Sequence, residues 1–309
     1  MLTKVYDAPT VFKYLNGVLA VYKPAGKKVI HVRNAILHNI CKELNELEIR
    51  EPRKLMAIAP GGSYGQILKN VTDLSDDILA VGPRYKMEDF KFRPAVNLET
   101  YTSGVLLLGL NSGVKLANKI QKARAIRAYC VTGKLGTATE NHLADSAITA
   151  RATHKHISAS RLASLVASLQ ASHLRKMYEM CGVDIQSQSA YELACQGLIR
   201  PANNIQPVIY SIKVIKFRRP YFTLEIHAIN ETQSYLATLI HEIGIELKSV
   251  AHCCNLQCIR HGNFNVNDTL LRKDWHLQNI IDNMHHCRKL IESNENFTNQ
   301  ENIKITTDL

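Results

Sequence analysis

The chain has 309 residues, 46% of them hydrophobic, with 38 Lys and Arg against 27 Asp and Glu, a formal charge of +11. That length holds one large domain or two ordinary ones around a sizeable core, and the basic excess points to a polyanion, either nucleic acid or an acidic membrane surface. No run approaches 18 apolar residues, which argues against a spanning helix. The start lacks a signal-peptide core and is too poor in Arg for a strong mitochondrial presequence. Eight scattered cysteines without a paired C-x-x-C spacing read as free thiols in a reducing compartment.

From Gly17, "GVLAVYK" is a strand that ends at Lys23-Pro24-Ala25-Gly26, where Pro and Gly force a turn. Residues 33–48 have helical spacing, with Ile36, Ile40 and Leu44 on one face. Residues 49–96 read as an irregular insert. Its "APGGSYGQ" is turn-rich, its "DLSDDILAVGP" suggests one short strand, and the glycines Gly61, Gly62 and Gly65 match no phosphate-binding loop.

Next comes "NLETYTSGVLLLGL" (97–110), with one acid in front of a strand apolar enough to be buried on both faces. A carboxylate at the mouth of such a strand is costly unless solvated, paired or used. Glu99 is therefore a reactive group or a polar cap.

Ser112 can cap a helix running to about Ala123, and "AYCVTGKLG" follows as a strand. Residues 100–139 contain no acid and six basic residues, of which Lys115, Lys119 and Lys122 share a helical face. A solvated face is the default for such lysines; the missing acids favour a surface turned to a polyanion. Ser158 caps a helix whose apolar stripe is Leu162, Leu165, Val166 and Leu169, and "YELACQGLIRP" is a short helix stopped by Gly197 and Pro201. A hairpin follows, turned at "RRP", with Phe222, Leu224 and Ile226 alternating on the return arm. Residues 234–247 form an amphipathic helix with Leu236, Leu239, Ile240, Ile243 and Leu247 inward. A last strand, "SVAHCCNLQCIRHGNF", precedes a closing helix capped by Asn267 or Asp268 and a polar tail over 291–309. Strands and helices mix without regular βαβ alternation, which predicts an α+β fold with a mostly antiparallel sheet.

Two tempting metal motifs fail on geometry. In "HCCNLQCIRH" a strand places His252, Cys254 and Cys258 on one face and Cys253 and His261 on the other, so the five do not converge. "LIHEIG" lacks the second histidine of a zincin helix.

Taken together, the acid-strand segment, the basic-aromatic "RAY" and the "KPAG" turn resemble the TruB family of pseudouridine synthases. The family's G-T-L-D-P-x-A-S/T-G-V-L is similar to Val96–Leu106, its K-P-x-G to Lys23–Gly26, and its K/R-x-Y followed by L-G to Arg127, Tyr129 and Leu135-Gly136. Its Y-E-x-A-x-x-G…R resembles Tyr191, Glu192, Ala194, Gly197 and Arg200, its D/E-I-G helix "HEIGIELK", and its domain end Arg260-His261-Gly262 up to Phe264. The likeness covers roughly residues 15–290. "ETQ", "HEIG", "GLIRP" and "TLLR…W" bring it nearest to the animal mitochondrial branch.

This resemblance implies a pseudouridine-synthase fold, a mostly antiparallel mixed sheet flanked by helices, as one catalytic domain over residues 1–290. Bacterial members carry a C-terminal accessory RNA-binding domain, and the short stretch after Gly262 leads us to expect none here. The resemblance implies isomerisation of uridine to pseudouridine in mitochondrial messenger or transfer RNA, on a nucleotide flipped out of its stack. The implied catalytic residues are Glu99, Tyr129 and Leu256. The residues expected to bind substrate are Lys23, Pro24, Lys115, Lys119, Lys122, Arg124 and Arg127. No metal or organic cofactor is expected; the expected partners are RNA and a mitochondrial ribonucleoprotein assembly.

The departures from the family are concentrated at the centre. Glu99 stands where the family has aspartate, and one methylene moves a carboxylate by about 1 Å, a displacement worth on the order of a hundredfold in rate. Ala237 stands where the family has the arginine that pairs with that acid. Thr100 replaces a proline, Glu179-Met180-Cys181-Gly182 has lost a lysine, and Gln257 and Cys258 replace two arginines. Two readings follow. One is a working synthase with a substitute cation, Arg124 or Arg127. The other is an RNA-binding protein of the same fold, acting in a ribonucleoprotein assembly without turnover.

Overall fold

The fold is built around one long mixed sheet, seen in a computed structural model that describes residues 7–47, 54–60, 66–76, 78–195 and 206–293. Helix α1 (Ala8–Tyr14) leads into β1 (Gly17–Lys23) and α2 (Val29–Glu46), whose Ile36, Ile40 and Leu44 are fully buried as their spacing predicts. The insert departs from its reading. Residues Lys54–Pro60 (β2) and Gln66–Thr72 (β3) form an antiparallel hairpin, and Ile78–Val81 is a helical turn (α3) where a strand was expected. Four apolar residues after an Asp pair are too short a run for periodicity to tell strand from helix. The glycines of "GGSYG" lie outside the described residues.

Phe92–Pro94 (β4) pairs with the far end of β5 (Ser103–Leu110). All eight residues of β5 are buried, because β1 and a later strand flank it and α4 (Gly113–Ala123) packs against it. Truncating one of its leucines to Ala would cost about 2–5 kcal/mol. Ser112 precedes α4 but already has helical dihedrals and makes no side-chain cap bond, unlike the cap expected of it.

Strand β6 (Arg127–Leu135), the small pair β7 (Thr137–Thr139) and β8 (Ile148–Arg151), and α5 (Ala159–Met180) follow. Ser158 does cap α5, accepting from the Arg161 amide at 3.2 Å. Helix α6 (Gln188–Cys195) stops at the edge of the described residues, so Gly197, Arg200 and Pro201 fall outside them. The hairpin β9 (Val208–Arg218) and β10 (Tyr221–Ile229), helix α7 (Gln233–Glu246) and β11 (Ala251–His261) stand where the sequence places them.

The closing segment differs from its reading. After β12 (Phe264–Asn265) the chain makes two 3₁₀ turns, and α8 (Leu277–Glu292) starts about ten residues later than expected. Asp268 does cap, but caps a 3₁₀ turn, accepting from the Asn265 amide at 2.9 Å. The α8 start is satisfied from far along the chain: the Leu277 amide donates to Glu43 on α2 at 2.7 Å.

The sheet order is β1-β5-β11-β6-β10-β9, with β4 on β5 and β12 on β11; β11 and β5 run parallel and the other pairs antiparallel. Helix α8 packs on β1, α7 on β11 and α5 on β9. The first strand and the last helix meet where Asn283 accepts the Ala20 amide at 2.9 Å. This is the α+β architecture expected. Among the described residues no helix is long and apolar enough to cross a membrane.

Candidate active site

The N-terminal end of β5 is where three distant segments converge. Gly104 pairs with Cys258 of β11 at φ +114°, and a Cβ there would overlap the Cys258 carbonyl. Only glycine lets these two strands approach so closely at this backbone angle. Cys258 in turn pairs with Tyr129 of β6. At a strand spacing of about 4.8 Å, Tyr129 is therefore about 10 Å across the sheet from the head of β5.

The loop in front of β5 is tied down on every side. Lys23, at the end of β1, is fully buried, and its ammonium donates to the carbonyls of Thr102 (2.6 Å), Thr100 (3.2 Å) and Pro24 (3.2 Å). Burial lowers its pKa to about 8. The Gly26 amide donates to the Thr100 carbonyl at 2.8 Å, and the Tyr101 hydroxyl to the Cys254 carbonyl at 2.6 Å. The "KPAG" turn is thus a clamp on the loop that carries Glu99. Its lysine faces the interior, and Pro24 is half-buried beside it.

Glu99 itself is exposed at the loop's edge. One carboxylate oxygen accepts from the backbone N–H of Gln233, the first residue of α7, at 3.0 Å. The other accepts no hydrogen bond from the described residues. So the acid is held by one oxygen and presents the second to solvent.

Tyr129 and Leu256 are buried, at 3% and 0% exposure. Behind Tyr129 lies a charge pair with almost no access to water: Arg127 Nε is 2.6 Å from Glu231 Oε1, with side chains 10% and 0% exposed. Arg127 also donates to the Glu231 carbonyl at 3.3 Å and sits 5.9 Å from the Tyr129 ring centroid. Neither Glu231 oxygen has a well-directed hydrogen bond, so charge rather than directed bonding holds the pair. Burial pushes the Glu231 carboxyl up, and Arg127 pulls it back. Burial, then the Glu231 charge, raises the Tyr129 phenol well above its usual range. At neutral pH it is a proton-bearing hydroxyl. The same burial lifts the Cys258 thiol to about 12 and drops His261 to about 3, so neither of these two groups changes charge near pH 7.

The remaining expected residues fall into two groups. Lys115, Lys119 and Lys122 stand exposed on the outer face of α4, opposite the buried Ala117 and Ile120. Arg124 ends that helix in a left-handed conformation at φ +46°. Arg127 does not stand with these lysines. It points inward to Glu231, which engages the guanidinium offered above as a substitute cation for Glu99. Ala237 is fully buried in α7, one helical turn beyond Gln233. Sequence reasoning missed Glu231 and Gln233 as individuals. The one signal was their place in "ETQ", either side of the helix cap Thr232, whose hydroxyl accepts from the Tyr235 amide at 3.1 Å.

Residues 95–234, a span that holds Glu99, Tyr129 and "ETQ", match the TruB family pseudouridylate synthase (N terminal domain). "Pseudouridylate synthase TRUB2, mitochondrial" of Xenopus tropicalis is 36% identical over 292 residues, covering 92% of this chain and 89% of the relative. The chain belongs to the TruB family of pseudouridine synthases, enzymes that isomerise uridine in RNA. The human protein of the same name is 34% identical over 275 residues, covering 87% of this chain and 82% of its own. "tRNA pseudouridine synthase B" of Mesoplasma florum is 24% identical over 216 residues, 70% of this chain and 74% of that one.

Proposed function

We propose that this chain performs the family reaction with Glu99 as the acid at the ribose C1′, Tyr129 against the flipped uracil and Leu256 as an apolar wall of the pocket. The reaction breaks the C1′–N1 bond, turns the detached base and forms C1′–C5. The proton on C5 leaves and N1 gains one, so the base keeps its composition. No electrons are exchanged. Glu99 takes the role of stabilising C1′ while it is bonded to neither nitrogen nor carbon of the base, and its solvent-facing oxygen is the one free to do so. Tyr129 keeps its proton at neutral pH and offers a hydroxyl and an aromatic face. The observation that carries the reading is the mount of Glu99. The Lys23 ammonium on two of its carbonyls, the Gly26 amide and the Tyr101 hydroxyl fix its loop, and such rigidity serves a reacting group more than a polar cap.

The relatives named mitochondrial support action on mitochondrial RNA, messenger or transfer. The exposed lysines of α4 suit its phosphates. A second reading is favoured by one residue, the buried and uncharged Ala237: the fold binds RNA in a ribonucleoprotein assembly without turnover. Carbodiimide-blocked reverse transcription of treated transcripts separates the two. Stops made by the wild type and absent with Glu99→Ala support the synthase. No stops from wild type, with stops gained in a Glu99→Asp and Ala237→Arg double variant, support the second reading.

A further inference from the structure

A carboxylate on an exposed loop is a poor catalyst if it wanders, and among the described residues no guanidinium pairs with it. What does reach it is the start of α7. We infer that Gln233 is the positioning residue for Glu99 and does locally what a paired arginine would do. The inference rests on the reading of Glu99 as the reacting acid.

Gln233 is the first residue of α7, so its N–H is one of the donors a helix leaves without an internal partner. It donates to Glu99 Oε1 at 3.0 Å. The Gln233 side chain grips the same loop from the other direction. Its amide oxygen accepts from the Tyr101 amide at 2.9 Å, the Thr102 amide at 3.1 Å and the Thr102 hydroxyl at 3.3 Å. One residue therefore fixes both the carboxylate and the backbone two and three positions after it. The helix behind this grip is anchored by Leu236, Leu239, Ile240 and Ile243, all sunk in the core. Its N-terminal dipole also favours negative charge at that spot. Glu99 reaches this donor with its extra methylene, and the reach accounts for a glutamate at a position where the family has the shorter acid.

The two halves of the grip separate cleanly by mutation. Gln233→Ala removes the side chain and keeps the N–H. Gln233→Pro removes both, and proline is well tolerated at the first position of a helix. Thr232 before it has φ −112° and ψ 162°, the extended conformation that proline demands of its predecessor. Single-turnover and steady-state rates on a substrate transcript are to be measured for both variants and for Glu99→Ala, with thermal melts alongside. The expected result is a kcat about tenfold down for Gln233→Ala and about a hundredfold down for Gln233→Pro, with KM for RNA within about twofold of wild type. Melts within a few degrees show that the fold is kept. A Gln233→Pro variant that melts normally and keeps its kcat overturns the inference while Glu99→Ala is inactive. A loss carried by KM alone overturns it too, because it assigns Gln233 to RNA binding. An active Glu99→Ala overturns the reading of the acid, and the inference falls with it.

Discussion

Glu231→Gln is the perturbation that probes the site's hidden support. It keeps the side chain's size and removes its charge, leaving the Arg127 guanidinium almost fully buried with its partner gone. Breaking one side of a buried ion pair costs about 3–5 kcal/mol, because the remaining charge stays out of water unpaired. That is a fifth or more of a typical total stability of about 5–15 kcal/mol. With a urea slope of about 3 kcal/mol/M, the unfolding midpoint should fall by about 1 to 1.7 M. Removing both charges is the informative contrast. Arg127→Met combined with Glu231→Leu leaves no buried charge and should regain most of the lost stability. Equilibrium urea denaturation followed by tryptophan emission reads both, Trp275 being the chain's one tryptophan and buried. A midpoint for Glu231→Gln within about 0.3 M of wild type, or a double variant weaker than the single one, would refute the account of this pair.

Two further outcomes are expected. His261, buried and beside Arg127, is held at about 3, so the folded state binds fewer protons than the unfolded chain between about 3 and 6.5. That contribution is complete above pH 6.5 and is lost as pH falls: about 2 kcal/mol by pH 5, to be seen as a drop in urea midpoint that His261→Gln lessens. Replacing Lys115, Lys119 and Lys122 by Ala should weaken RNA binding and flatten its dependence on salt by up to about three units of log–log slope. An unchanged slope would mean the three lysines are only solvated.

Much of the scaffold could be read from residue pattern alone, for a physical reason. Strand β5 carries an unbroken apolar run because both its faces are covered, and α7 shows its stripe because one face is sunk in the core. The β2–β3 pairing was not legible, since the glycine-rich sequence between the two segments outweighed a weak alternation. The late start of α8 was hidden because its cap, Glu43, is more than 200 residues away in sequence. The site divides the same way. Glu99 stood out as an acid against an apolar run, a local contrast. Lys23 read as a substrate-binding residue at the end of a strand, and only the register of β1 on β5 reveals that it ends inside, under the loop. Arg127 and Glu231 meet across 104 positions, and Gln233 and Glu99 across 134. No local pattern marks a pair made by tertiary contact.

The proposed role of Glu99, on the loop in front of β5 and held by α7, is to turn over uridine. Release of tritium from RNA carrying 5-tritiated uridine tests it most directly, since the C5 proton must leave when C5 bonds to the ribose. Wild-type protein should release tritium in step with pseudouridine formed, and Glu99→Ala, folded by its melt, should release none. Equal release from both, or none from the wild type on any mitochondrial transcript, would contradict the claim.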